Sequence, residues 1–534
     1  MGKKIELLDC TLRDGAYIVN ARFGTAAIRG IILHMQEAGV EIVECGWLKN
    51  AEHEEGTTFY HVPSDVEQYL VKKQEGVVYS VMIDWDRYDL KYLPPYDGKS
   101  IDAIRVVFPR GKHREAIEIG KAIRKKGYRL LFQAANTLAY TDGELDALAE
   151  AMNEVRPESL SVVDTFGAMF EEDLERIVRR LDEKLVPEIK MGFHSHNNQQ
   201  LSFALSMRFV QMMEGKGRGI IVDASLCGMG RGAGNATTEL VAGWLNRKHG
   251  KDYDLDVILD AIDVFMEYFQ KHYSWGYSTP YFISGMYCTH VNNIAYLTEK
   301  HRTRAKDMRN IIASLPPEKR LAYDYDLLEQ KYLEHCRAEV DDEAACGRIG
   351  EILGGRPVLM LCSGASVSGQ RERILRYIEE AHPAVIGINA MFAGYAYDCG
   401  FFSNPVRYAY MVAEPAFSGV PRVVTSNIRV AAGEGEEVVG FGALVKQGWK
   451  YFDNAGILCL RLLRRLGVHE VALAGFDGFR ERFEENYADR RMPSVNADGD
   501  WDIVNREIQE MLDDFRASVG DGMKIHFVTE SIFK

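Results

Sequence analysis

From the N-terminus to about residue 245, short runs of apolar and β-branched residues alternate with longer segments whose apolar positions recur at helical spacing. The runs IELLDC (5–10), EIVECGW (41–47), VVYSVMID (77–84), AIRVVF (103–108), YRLLFQA (128–134), SLSVVD (159–164), IKMGFHSH (189–196) and IIVDASL (220–226) predict strands. TAAIRGIILHMQEAG, HREAIEIGKAIRKKG, DGELDALAEAMNEV and EEDLERIVRRLDEK predict amphipathic helices between them. Eight strands in βα alternation over this length fit a (β/α)8 TIM barrel, with an open doubly wound sheet as the competing topology. From 246 to 350 the pattern turns helical, as in LDVILDAIDVFMEYFQKHY, and predicts a helical appendage. A new βα rhythm opens at VLMLCSGASV and runs to KIHFVTE, predicting a Rossmann-like α/β domain. Gly354 and Gly355 mark the boundary, so the expected organisation is 1–245, 246–350 and 351–534.

Composition narrows the function classes. The 534 residues are 46% hydrophobic and 27% charged, which suits a packed globular chain and excludes a disordered or collagenous one. A net charge of −14 repels phosphate backbones and anionic lipid, so neither nucleic acid nor a membrane is an expected partner. The start MGKKIELLDC carries no apolar signal region, and no stretch approaches the roughly 20 apolar residues of a membrane helix. Nine cysteines without a CxxC pair fit reduced thiols, and the expected location is the cytoplasm. A homo-oligomer is expected.

In a barrel the chemistry sits at the C-terminal ends of the strands. The first strand delivers Arg13 and Asp14, the second Glu44, the sixth Asp164 and Thr165, and the seventh His194-Ser195-His196. Side chains alternate along a strand, so His194 and His196 face one way and can share an ion, to which Asp14 could add an oxygen. The eighth strand leads into CGMGRGAGNATTE, a glycine-rich loop placing Asn235 at the same rim. Nitrogen and oxygen donors without thiolate suit Mn²⁺, Mg²⁺ or Co²⁺, with Zn²⁺ left open. Taken singly, the two histidines also fit satisfied core residues and the Arg-Asp pair a salt bridge. Their joint appearance at the ends of separate strands favours a metal site.

LDCTLRDG, HSHNN and DASLCGMGRGAGNATTE resemble the signatures of the metal-dependent aldolase, lyase and Claisen-condensing barrels, a family that includes 4-hydroxy-2-oxovalerate aldolase, 3-hydroxy-3-methylglutaryl-CoA lyase and isopropylmalate synthase. The resemblance spans residues 5 to 240. It implies Asp14, His194 and His196 as metal ligands, Asn235 as a ligand or near neighbour, Arg13 as the enolate-stabilising cation and Glu44 as the acidic active-site residue. VVDTFGAMF resembles the aldolase segment whose hydroxyl holds the substrate carboxylate, here Thr165, a residue that also reads as a helix N-cap. GMGRGAGN and the helical segment favour the pyruvate-type aldolases, in which the appendage carries a substrate-facing tyrosine. GMYCTHV offers Tyr287 for it, and a core tyrosine is the competing reading. The implied activity joins or splits a C–C bond between a 2-oxo acid and an aldehyde. An acyl-CoA-dependent lyase or condensing enzyme, or a non-catalytic binding protein on the same barrel, are the alternatives.

One position departs from the pattern. The aldolases carry a histidine two residues after their RDG motif, and here that position is Tyr17, whose unperturbed phenol is a poor base at neutral pH. Tyr17 could act as acid, as base, or only shape the pocket. In the C-terminal segment VLMLCSGASV lays out a strand and a Gly/Ser loop of the kind that presents N–H groups to phosphate. With INAMF, FFSNP and VALAGFDG, which contains Asp477, it loosely resembles the nucleotide-binding half of bacterial sialyltransferases. The candidates for a nucleotide or nucleotide-sugar are Gly364, Ser366, Asn389 and Asn404. The matching family positions for a glycine and a proline are Cys362 and Ala365 here.

Overall fold

All eight expected strands form and close on themselves. In the computed structural model, which describes residues 4–299, 303–336, 340–428, 435–449, 451–482, 485–489 and 500–533, they are β1 Ile5–Asp9, β2 Ile42–Leu48, β3 Val78–Asp84, β4 Ala103–Phe108, β5 Arg129–Ala134, β6 Ser159–Asp164, β7 Lys190–Ser195 and β8 Ile220–Ala224. Each pairs in parallel with its sequence neighbour, and β1 pairs with both β2 and β8, which excludes the open sheet and makes this a (β/α)8 barrel. A two-residue strand, Phe59–Tyr60, adds to β2.

The four expected helices are α1 Thr25–Glu37, α2 His113–Lys125, α3 Asp142–Val155 and α4 Glu171–Lys184, followed by α5 Ser202–Met213 and α6 Thr238–His249. On α4 the buried residues are Leu174, Ile177, Val178 and Leu181, the i, i+3, i+4, i+7 stripe that seats a helix on a sheet. Thr141 begins α3 with a capping box to Glu144, satisfying two N–H groups that an uncapped end would leave bare. The alternation is incomplete in two places. Between β2 and β3 the only helix is the four-residue Ser64–Glu67, and β3 joins β4 without a helix.

Further helices follow, including α7 Thr279–Met286 and α8 Val291–Glu299. Those up to Leu328 belong with the barrel in one compact unit, Met1–Leu328. Gly285 of α7 has no room for a side chain, because a Cβ there would lie 3.0 Å from the Gly167 carbonyl oxygen and 3.1 Å from Asn198 Cβ. That close approach seats α7 over the loops leaving β6 and β7, at the barrel mouth.

The second unit, Glu329–Lys534, is built on a parallel sheet of β9 Val358–Leu361, β10 Ala384–Ile388, β11 Cys399–Phe402, β12 Arg422–Thr425, β13 Glu437–Val439, β14 Glu470–Ala474 and β15 Lys524–Phe527. Its order is β13-β12-β11-β10-β9-β14-β15. The chain proceeds one way from β9 to β13, then returns to the other side of β9, so a topological switch point lies between β9 and β14. The side chain of Cys336 and residues 300–302, within the expected appendage, lie outside the described residues. The eight cysteines whose side chains are described are free thiols. No helix among the described residues is long and apolar enough to cross a membrane.

Candidate metal centre and active site

Barrel interiors are ordinarily filled by Val, Ile and Leu. Here β2, β4 and β8 each turn a charged residue into the centre, Glu44, Arg105 and Asp223, all at most 1% exposed. These charges are joined to one another and to the residues at the mouth. Arg105 Nη1 donates to Glu44 Oε2 at 2.7 Å, and its Nη2 donates to Asp223 Oδ2. Glu44 Oε2 also accepts from Arg13 Nε at 2.7 Å, and Arg13 Nη1 donates to Asp14 Oδ1 at 2.5 Å. At the far end, Asp223 Oδ2 lies 3.1 Å from His194 Nδ1. The chain Asp14–Arg13–Glu44–Arg105–Asp223–His194 thus starts and finishes at one place.

That place is a three-donor cluster. Asp14, His194 and His196 are buried, and each offers a ligand atom within 4.8 Å of the others. Asp14 arrives on a helical turn, Thr11–Asp14, directly after β1, while the histidines come from the end of β7. Asn235 Nδ2 donates to Asp14 Oδ2 at 2.8 Å, and its carbonyl oxygen is buried without a partner. The glycine loop makes this approach feasible. A Cβ on Gly230 would lie 2.4 Å from Asp14 Oδ2, and one on Gly234, at φ +83°, would lie 1.9 Å from the Gly228 carbonyl oxygen.

The electrostatics suit a cation. Burial pushes the Asp14 carboxyl upward, but Arg13 first and the neighbouring groups after it hold it well below the usual carboxylate range. Burial pushes His196 down to about 4, with Asp14 opposing, so its ring is neutral and has a lone pair to give at neutral pH. Buried polar atoms without a partner gather here as well: Arg13 Nη2, Glu44 Oε1, Asp223 Oδ1 and Asn235 Oδ1. Native interiors rarely strand such atoms, so a set of them around three metal-type donors fits a divalent ion with open positions.

Thr165 stands after β6, and its hydroxyl oxygen accepts from the Asn136 N–H at 2.7 Å, which leaves its proton to donate. Asp164 beside it accepts from the Ala168 and Met169 N–H groups, and burial raises it to about 7. Tyr17 lies on the turn Ala16–Val19, 46% exposed, with its ring edge-on to Trp47 and under the Arg231 guanidinium at 4.9 Å. Desolvation raises its phenol above the ordinary value against the pull of Arg231, so at neutral pH Tyr17 keeps its proton. Tyr287 stands at the C-terminal end of α7, with its ring against Arg320 at 5.3 Å.

Sequence reasoning missed Arg105, Asp223 and Arg231. The signal for the first two was a single charge in the middle of an apolar strand, Arg105 in AIRVVF and Asp223 in IIVDASL.

In the second unit the candidate loop lies at the switch point, but the chain itself fills it. Asp477 Oδ2 accepts from the Ser366 N–H at 2.7 Å and Oδ1 from the Ser366 hydroxyl at 2.5 Å. That hydroxyl also reaches Thr529 Oγ1 at 2.8 Å. Asn389 Oδ1 accepts from the Ser403 and Asn404 N–H groups, and Asn404 caps the helix Pro405–Val412. Both asparagines use their side-chain oxygens on the backbone.

A family model, HMGL-like, matches residues 111–264. The chain is 31% identical over 291 residues to 4-hydroxy-2-oxovalerate aldolase 2 of Salinispora arenicola (strain CNS-205), covering 51% of this chain and 77% of that protein. The chain belongs to the HMGL-like family. Oxaloacetate decarboxylase of Mycobacterium tuberculosis (strain ATCC 25618 / H37Rv) is 27% identical over 266 residues, covering 48% of this chain and 74% of that protein. Among solved structures, the HMG-CoA lyase of Brucella melitensis covers 50% of this chain and 98% of its own at 18% identity and a TM-score of 0.38. Within this HMGL-like chain the matched region carries His194, His196 and Asn235, while Asp14 reaches them from the start of the barrel.

Proposed function

We propose that the barrel unit is a divalent-metal-dependent aldolase, forming or cleaving the C–C bond between a 2-oxo acid of the pyruvate type and an aldehyde. The observation that carries this reading is the buried Asp14–His194–His196 cluster with the unpartnered Nη2 of Arg13 beside it. The 31% identity to a protein named 4-hydroxy-2-oxovalerate aldolase supports it.

Asp14, His194 and His196 would hold the ion, with the Asn235 carbonyl as neighbour. A bound divalent ion chelates a 2-oxo acid and offsets negative charge on its ketone oxygen. The Arg13 side chain is already fixed by Asp14 and Glu44, so its free Nη2 meets an enolate oxygen without reorganisation. Thr165 donates its hydroxyl proton to the substrate carboxylate. In the condensation direction the donor carbon loses a proton to solvent and bonds to the aldehyde carbon, and the aldehyde oxygen takes a proton from Tyr17, which solvent then reprotonates, so the overall proton count is unchanged. Cleavage runs the same changes backwards. This position is a histidine in the aldolases that the barrel resembles, and a protonated phenol in its place suits the donor role of the condensation direction, whereas cleavage needs the same oxygen deprotonated as the base.

The barrel relative named oxaloacetate decarboxylase supports a second reading, loss of CO₂ from a 2-oxo diacid through the same enolate. We place the enzyme in the cytoplasm, in keeping with its free thiols. For the second unit a nucleotide at Gly364–Ser366 would have to displace the Asp477 carboxylate from the Ser366 N–H.

The test is exchange of the pyruvate methyl protons into D₂O, followed by proton NMR without any thioester. Exchange is expected, with loss on EDTA treatment and recovery with Mn²⁺ or Co²⁺. Exchange that persists in a sample shown metal-free by elemental analysis would remove the centre from the mechanism. Absence of exchange together with release of free CoA from an acyl-CoA would replace the aldolase by a condensing enzyme.

A further inference from the structure

Beside the metal cluster stands a second guanidinium that meets no carboxylate among the described residues. Arg231 lies in the glycine loop after β8, where its N–H donates to Asp14 Oδ2 at 3.2 Å and its carbonyl oxygen lies 3.1 Å from His196 Nδ1. The main chain is therefore pinned to the cluster. The side chain extends over the Tyr17 ring, and Nη2 reaches His290 Nε2 at 3.0 Å and Asn292 Oδ1 at 3.1 Å. These partners are an aromatic face, an imidazole and an amide. His290 is itself uncharged at neutral pH, since burial first and Arg231 second push it down to about 3.

A half-buried guanidinium ordinarily finds a carboxylate, because desolvating the charge without a counter-charge is costly. Here the described contacts orient the fork and leave its charge uncompensated. Arg13 provides the contrast, since Asp14 and Glu44 neutralise it and leave one nitrogen free for an enolate. Two arginines so differently paired at one mouth serve two different anions. The position of Arg231 identifies the second. Its guanidinium covers the ring of Tyr17, the half-open proton donor, so an acceptor whose carbonyl oxygen meets the Tyr17 hydroxyl lays its substituent along that ring toward the charge.

We infer that Arg231 is a specificity residue that binds an anionic group, carboxylate or phosphate, carried by the aldehyde partner. This rests on the aldolase reading and adds the substrate class to it. The anion takes no part in bond making. His290 and Asn292, on the segment entering α8, are positioning residues that aim the fork.

The experiment measures kcat/KM of the metal-loaded full chain, with pyruvate as donor, for two matched pairs of acceptors. The pairs are succinic semialdehyde against butyraldehyde, and glyceraldehyde 3-phosphate against glyceraldehyde. The wild type is expected to favour the anionic member of at least one pair by roughly tenfold or more, the scale of one charge-assisted contact. Which pair shows it separates a carboxylate from a phosphate. Arg231→Gln should bring the ratio to near parity, and Arg231→Lys, which keeps the charge but not the fork, should retain part of it. No anionic preference in either pair, or a preference that survives Arg231→Gln, overturns the inference. A binding measurement stands apart from turnover: calorimetry of glycerol 3-phosphate and butyrate on the EDTA-stripped chain, where no ion can capture them. At least one should bind the wild type and not Arg231→Gln, and silence from both overturns the inference even where the aldolase reading itself has failed. Arg231→Lys supplies the comparison if the glutamine variant does not fold.

Discussion

Arg105 gives the sharpest test of the barrel interior. It is 0% exposed, and it donates to Glu44 Oε2 at 2.7 Å and to Asp223 Oδ2. Replacing it with methionine keeps the approximate volume and removes a cation between two buried carboxylates. Glu44 would keep Arg13 Nε, also at 2.7 Å, whereas Asp223 would keep only His194 Nδ1 at 3.1 Å. Stranding one member of a buried ion pair costs about 3–5 kcal/mol. For a unit of this size that is a fall of about 4–7 °C in its melting temperature. The loss should depend on pH with a definite sign. In the native chain burial raises the Asp223 carboxyl, but Arg105 and His194 together outweigh it and hold the group below its ordinary value, so this contribution is present above that value and is lost as pH falls. Without Arg105 the buried carboxyl moves upward and accepts a proton more easily, so the deficit should be larger at pH 8 than at pH 5. The assay is scanning calorimetry of the metal-free chain at both pH values, and Arg105→Met combined with Asp223→Asn should recover part of the loss. A deficit under about 1 kcal/mol, or one unchanged between the two pH values, would show that Arg105 is not balancing these carboxylates.

Two further outcomes follow from other parts of the structure. Burial holds Asp164 at about 7, above the value of an unfolded aspartate, so the fold favours its protonated form and its contribution should decline as pH rises from 4 to 7. Asp164→Asn should flatten that part of the melting-temperature profile, and a profile identical to that of the wild type would contradict the burial argument. In the second unit a Cβ on Gly364 would lie 2.5 Å from the Gly475 carbonyl oxygen and 2.6 Å from Asp477, so Gly364→Ala should destabilise that unit by about 1–3 kcal/mol. Calorimetry should place the shift in the transition of residues 329–534, and an unshifted transition would mean that the loop has room to relax.

The sequence by itself determined the barrel and most of its rim. Strands buried on both faces read as continuous apolar runs, and eight of them in βα alternation leave few alternatives, because parallel neighbours need a crossover connection. Alternation along β7 puts His194 and His196 on one face, and Asp14 follows from its place just after β1. Local pattern also erred locally. No periodicity announced that β3 and β4 are joined without a helix, since a loop's conformation is set by what it packs on. Tertiary structure alone decided the rest. Arg105 and Asp223 are 118 residues apart, and only barrel closure brings their charges together, so a lone arginine in a strand carried no partner in its own segment. The pairing of Arg231 with Tyr17 and His290 needs the loop after β8, the turn after β1 and the segment before α8 at one mouth. Conversely, Gly364 and Ser366 read as a phosphate loop until folding set the Asp477 carboxylate against the Ser366 N–H, 111 residues away. Propensity and periodicity are written in neighbouring residues, whereas the compensation of buried charge is settled between strands, and only the closed fold fixes which charges meet.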